Sequence, residues 1–216
     1  MSFELNAAFS LSIMVGAVIG WCRVRKSDPA FFPFLLLLTV GLVNEVISVI
    51  LIRQGRQNVF NYNLYGLVEA LLLAWQFLKW GLFKGARRLY YSLQVLFVSL
   101  WVAESLLRSF KAFNSYFIML HSFLLVLMSI SMINRVSLRE TMPLWRQPVF
   151  LICTGLVIYH DYAVLVEAFW IFGLNYSDGF RIRIYEILSY INLFTNLLFA
   201  FAIIWIPTRL RYILQH

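Results

Sequence analysis

Charge is scarce in this chain of 216 residues: Asp, Glu, Lys and Arg together make up 13%, about half the share found in soluble globular domains. Set beside 62% hydrophobic residues, that shortage excludes an ordinary soluble fold. Cysteine numbers two, which excludes a disulfide scaffold, and the lack of Ser-, Gln- or Pro-rich tracts excludes a disordered chain. The five prolines, Pro29, Pro33, Pro143, Pro148 and Pro207, fall between or at the ends of long apolar runs, where a missing N–H does least harm. Lysine occurs only at positions 26, 79, 84 and 111. None lies deep in the last apolar run, so a retinal Schiff base is excluded. No G-x-S-G motif, P-loop or dinucleotide glycine pattern occurs, and Asp161 is the sole aspartate in an apolar run, which excludes intramembrane serine and aspartyl proteolysis.

What is present is a series of runs long enough, at about 20 residues each, to cross roughly 30 Å of hydrocarbon as helices. Seven occur, at Leu5–Cys22, Ala30–Ile52, Phe60–Trp80, Leu89–Leu107, Ser115–Ile133, Pro148–Phe172 and Ile182–Ile206. The expected fold is therefore all-α, a polytopic seven-transmembrane-helix bundle forming one domain over residues 1–216. Short connections leave no room for a soluble domain. The first run lacks the basic leader of a signal peptide and is followed by Arg23, Arg25 and Lys26, so it reads as an anchor. Ser27-Asp28-Pro29 reads as a helix cap followed by a proline at the first helical position.

Basic residues orient the bundle. Twelve of the eighteen lie after runs one, three, five and seven, and six on the other side, which places the N-terminus outside and the C-terminus in the cytoplasm. A plasma or inner membrane is the expected location. The net charge of +8 is spread over loops beside the membrane, which points to anionic headgroups or a cytoplasmic or membrane partner protein and not to nucleic acid. Ala8, Ser12, Gly16 and Gly20 recur every four residues, a stripe suited to close helix packing within the bundle or in a homodimer. Cys22 and Cys153 sit in different runs, and several Trp residues, including Trp21, Trp80, Trp145, Trp170 and Trp205, lie near run ends as an interfacial belt.

The acids are unusually placed. Six of ten, Glu45, Glu69, Glu104, Asp161, Glu167 and Glu186, fall inside the proposed spans, each at a cost of about 2.5–3.5 kcal/mol at a helix centre. They should face the interior and be neutral, paired or wet. Glu69 and Asp161 fall near the midplane, with the others and His121 toward the outer side and His160 near the centre of its span. Glu104 has Arg108 four residues on, and Glu186 has Arg183 three back, spacings that suit ion pairs. In the third run Tyr62, Tyr65, Glu69 and Gln76 share a face; in the sixth Cys153, His160 and Glu167 recur at heptad spacing; in the seventh Glu186, Ser189, Asn192 and Asn196 share an arc.

The expectation is an outward-skewed acidic pocket lined by Glu45, Tyr65, Glu69, Glu104, His121, His160, Asp161, Glu167, Glu186 and Asn192, of receptor or sensor type, binding a small molecule or cation. No catalytic residue and no required cofactor is assigned. A divalent metal held by His121, His160, Asp161 and Glu167, with Glu69 in the same pool, stays open, as does a haem between the two histidines. The competing functions are a proton- or ion-coupled transporter, a membrane-embedded metal enzyme acting on lipid, and a structural or assembly subunit with no cavity.

Overall fold

The computed structural model describes residues 2–139, 143–172 and 178–208. Glu140, Arg209 and Arg211, with the side chains of Arg139, Trp170, Asp178 and Arg181, lie outside the described residues. The described chain is helical throughout: α1 (Phe3–Leu11), α2 (Ile13–Arg23), α3 (Phe32–Arg53), α4 (Val59–Lys79), α5 (Arg87–Arg108), α6 (Ser115–Arg139), α7 (Pro148–Ile171) and α8 (Asp178–Ile204). Six helices are long and apolar enough to cross a membrane, with α1 and α2 counting as one, and the chain is a multi-pass membrane protein. The seventh, α4, is not among the six. Asn61, Asn63, Glu69 and Gln76 lower its hydropathy, and α3, α5 and α6 pack around it, the surroundings in which a polar helix is tolerated.

Local chemistry explains the helix ends. Asp28 accepts the Ala30 N–H at 2.8 Å, and a short 3-10 turn over Pro29–Phe31 leads into α3. At the end of α4, Gly81 takes a φ of +79° and Leu82 N–H reaches back to the Phe77 carbonyl, the left-handed stop that glycine favours. The first apolar run is broken at Ser12, whose hydroxyl donates to the Phe9 carbonyl at 2.6 Å and accepts from Asn196 at 3.0 Å. A serine hydroxyl competing with the backbone ladder is a recognised cause of such a break.

The helices form a ring in the order α1/α2, α3, α4, α6, α7, α8, closing on α2, with α5 outside against α4 and α6. The small-residue stripe is used inside it. A Cβ on Gly16 would stand 3.5 Å from Ile203 Cδ1, and one on Gly20 would come within 2.7 Å of Leu35 Cδ2, so α2 lies tight on α8 and α3; Ala8 is exposed. Gly41 and Gly155 are likewise points of close approach within unbroken helices.

One half of the ring, toward the ends carrying Arg23, Lys79 and Ile204, is filled by apolar packing. Phe34, Leu38, Leu73, Phe77, Leu125, Ile152, Phe199 and Ile203 interlock there, with Phe34 and Phe199 edge to face at 5.2 Å. At that closed end Arg146 stacks over Trp145 and Trp205, 4.3 Å and 5.1 Å from their centroids. The other half, the mouth, holds the polar groups.

Candidate metal and ligand site

The periodicity of α4 sets Tyr62, Tyr65 and Glu69 on one inward face, opposite His121 and Ser122 of α6 and Tyr159 and His160 of α7. The ligand atoms of Glu69, His121 and His160 all lie within 4.8 Å of one another, and Glu69 Oε2 is 3.9 Å from His121 Nε2. Both histidines are buried, 2% and 1% exposed.

The remaining bonds aim these atoms at one point. His121 Nδ1 lies 3.0 Å from the Phe117 carbonyl, which can only accept, so Nδ1 carries the proton and a neutral ring has a bare Nε2. His160 Nδ1 meets the Ser122 hydroxyl at 3.1 Å, which can accept its proton and free the other nitrogen. Among the described residues neither Nε2 has a hydrogen-bond partner. The Tyr65 hydroxyl donates to Glu69 Oε1 at 3.2 Å. Two imidazoles held through Nδ1 and a carboxylate held by a phenol are the arrangement in which outer partners orient metal ligands. Glu69, His121 and His160 thus form a triad suited to a metal ion. A zinc ion held by these three would ask for its ligand atoms roughly 3.4 Å apart, somewhat closer than the 4.8 Å within which they lie.

Two small voids border the triad, and a larger one opens beyond them. One of about 20 Å³ lies beside it, bounded by Tyr62, Tyr65, Gly66, Ser122 and Tyr159, enough for one water and far too small for a porphyrin between the histidines. A second, of about 50 Å³, joins Glu45, Tyr65, Glu69 and His160. The third, about 690 Å³, occupies the mouth and is lined by Glu45, Tyr62, Arg108, Tyr159, Glu167 and Asn192, among others, a volume typical of small-molecule sites. Tyr159 borders all three, so its phenol stands between the mouth cavity and the triad.

Seven of the ten expected pocket residues line these voids: Glu45, Tyr65, Glu69, His121, His160, Glu167 and Asn192. Three do not. Asp161 is exposed, because it follows His160 by one residue and is turned about 100° off the inward face. Glu104 is 8% exposed but spent on structure, accepting from Arg108 at 3.1 Å and from the Tyr116 and Phe117 N–H groups at 3.1 and 2.7 Å. Glu186 is half-buried on α8, outside the cavities. Of the five candidate metal ligands, the structure brings Glu69, His121 and His160 together, leaves Asp161 exposed and puts Glu167 in the mouth wall. The heptad of α7 explains the layering, with Cys153 in the apolar floor, His160 in the triad and Glu167 in the cavity.

Tyr159 and Ser122 were missed by sequence reasoning. Both are sequence neighbours of a triad histidine or one step from it, and a phenol or hydroxyl there has no distinguishing pattern. Gln76, on the stripe with Tyr62 and Glu69, serves packing instead: it accepts the Phe34 N–H at 2.8 Å and donates to the Ala30 carbonyl at 2.7 Å. No protein-family model, curated protein or solved structure matches the chain.

Proposed function

We propose that the chain crosses the membrane seven times with its mouth outward, and that it is a small-ligand-binding protein of receptor or sensor type built on a divalent transition-metal ion held by Glu69, His121 and His160. The observation that carries this reading is the pair of buried, unpartnered Nε2 atoms that converge with Glu69 while their Nδ1 atoms are engaged elsewhere. An orphaned buried nitrogen is costly, and one metal ion satisfies both. The mouth cavity gives a ligand access from one side only, since the opposite half is packed with apolar side chains; this favours a pocket over a conduit and weighs against a transporter. A cavity of this size also weighs against a purely structural subunit. The basic closed end suits anionic headgroups or a cytoplasmic partner.

The test is elemental analysis of protein purified in detergent, before and after exposure to Zn²⁺, Fe²⁺, Mn²⁺ or Co²⁺. About one ion per chain is expected, lost in Glu69→Gln, His121→Ala and His160→Ala but kept in Asp161→Asn. No ion retained by the unmodified chain under any of these conditions ends the metal reading.

A second reading, a metal-dependent enzyme acting on lipid, is favoured by the three-ligand set beside a water-sized void. Catalytic zinc sites keep such a fourth position for water and lower the energy of its ionisation. Metal-dependent release of headgroup or fatty acid from defined liposomes decides between the two.

A further inference from the structure

We infer that the mouth cavity binds an organic cation: an ammonium group carried on an apolar body, drawn to the Glu167 and Glu45 carboxyls of its wall. The inference rests on the ligand-binding half of the function proposed above and is independent of the metal ion. Three observations carry it. The first is charge. Two carboxyl side chains, Glu45 and Glu167, line the wall, and the one basic residue of its lining among the described residues, Arg108, is already paired with Glu104 at 3.1 Å and lies over the Tyr116 ring. Glu104 has spent its own charge on Arg108 and the α6 N-terminus. Among the described residues the two wall carboxyls thus have no basic partner of their own, which disfavours an anionic ligand.

The second observation is Glu167 itself. It is 8% exposed; Ser115 hydrogen-bonds to its carboxyl, but its Oε2 has no hydrogen-bond partner among the described residues, although a carboxylate oxygen has two lone pairs to share. Among the described residues Glu45 is engaged by neutral donors alone, Asn44 Nδ2 at 3.3 Å and Ser10. By helix rise the two stand roughly 6 and 12 Å below the mouth ends of α7 and α3. The third is the rest of the wall. Tyr62, Phe113, Tyr116, Tyr159 and Tyr185 contribute aromatic rings, and Val166, Ile171 and Leu188 aliphatic surface. Phenol and phenyl faces attract ammonium groups, whereas a bare inorganic ion has no use for about 690 Å³ bounded this way.

An ammonium of this kind has two sources, a water-soluble amine or the headgroup of an ethanolamine lipid. The test uses three probes of matched shape, 2-phenylethylamine, 2-phenylethanol and 3-phenylpropionate, measured by calorimetry on the full chain in nanodiscs of phosphatidylglycerol alone. The amine is expected to bind about tenfold or more tightly than either partner, and Glu167→Gln and Glu45→Gln each to weaken it by several fold. Equal binding of alcohol or carboxylate, or amine affinity unchanged in both variants, overturns the inference. Should Glu167→Gln fail to fold, the probe series on the unmodified chain and Glu45→Gln decide the matter. Repeating the titration with phosphatidylethanolamine in the disc separates the sources: weaker amine binding assigns the site to the lipid headgroup, unchanged binding to a soluble amine. Metal content is read on the same samples. A flat probe series with metal retained sinks this inference alone, and a preserved series without metal sinks only the metal centre.

Discussion

Glu104, in the last turn of α5, accepts the Phe117 N–H at 2.7 Å in the first turn of α6. The Phe117 carbonyl in turn faces His121 Nδ1 at 3.0 Å, and the Phe117 ring stacks on the imidazole with centroids 4.8 Å apart. A carboxylate that the sequence offers as a pocket ligand thus fixes the start of the helix on which a triad histidine is mounted. Charge-assisted bonds to the free N–H groups of a helix start combine capping with a favourable dipole interaction.

Replacing Glu104 with Ala is therefore expected to destabilise the fold by about 2–3 kcal/mol, the loss of charge-assisted bonds at a buried helix start. Thermal unfolding in detergent reads the effect. Unfolding at the unmodified temperature would mean that the α6 N-terminus is held by something else.

The outer partners of the triad give a different signature. Ser122→Ala removes the hydroxyl facing His160 Nδ1, and losses of this kind weaken metal binding by about 10–100-fold while leaving the ligands in place. Competition with a metallochromic chelator measures it. Loading should also fall as pH falls in both proteins, because each imidazole nitrogen must give up its proton to bind the ion. Affinity identical in Ser122→Ala and the unmodified chain removes the serine from the site.

How far these groups were legible in the sequence varies with how they are displayed. The helices were readable because an apolar run about 20 residues long has few other fates, and α4 was readable as a helix despite its polar face. Glu69, His160 and Glu167 were found because a charged or imidazole side chain in hydrocarbon demands an explanation wherever it falls. The sequence grouped Glu69 with His121, His160, Asp161 and Glu167, but which three of them meet was not legible. It depends on which face α4 turns toward α6 and α7, and helix rotation is settled by packing such as Gly41 against Ile13 and Gly155 against Phe199, which periodicity in one helix does not encode. Asp161 illustrates the limit: one residue from His160, it lies at the same depth yet outside the site.

Gln76 tests the distinction between polar groups that build and polar groups that bind. It is fully buried and bridges the Phe34 N–H and the Ala30 carbonyl at the entry to α3. Gln76→Leu leaves both backbone groups unpaired, at roughly 1–3 kcal/mol each, so a markedly lower unfolding temperature is expected with unchanged metal stoichiometry. Loss of metal without loss of stability would place Gln76 in the functional network instead.

Two glycines facing the interior should respond in opposite ways. A Cβ on Gly155 would stand 2.7 Å from Phe199 Cε1 and 3.4 Å from Thr195 Cγ2, so Gly155→Ala forces an aromatic ring of the packed floor to move, an overpacking cost of about 1–3 kcal/mol. A Cβ on Gly66 meets only Phe117 Cε1, at 3.8 Å, an ordinary contact, and replacing a mid-helix glycine by alanine is favourable by about 0.5–1 kcal/mol. Gly66 also borders the void of about 20 Å³ beside the triad, so an added methyl would narrow the space that an exogenous ligand of a bound ion could use. Gly66→Ala is expected to unfold at the same temperature as the unmodified chain or higher, to retain its ion, and to lose azide binding in the visible spectrum of the Co²⁺-loaded protein. Azide bound equally by both proteins would show that the open coordination position faces another void.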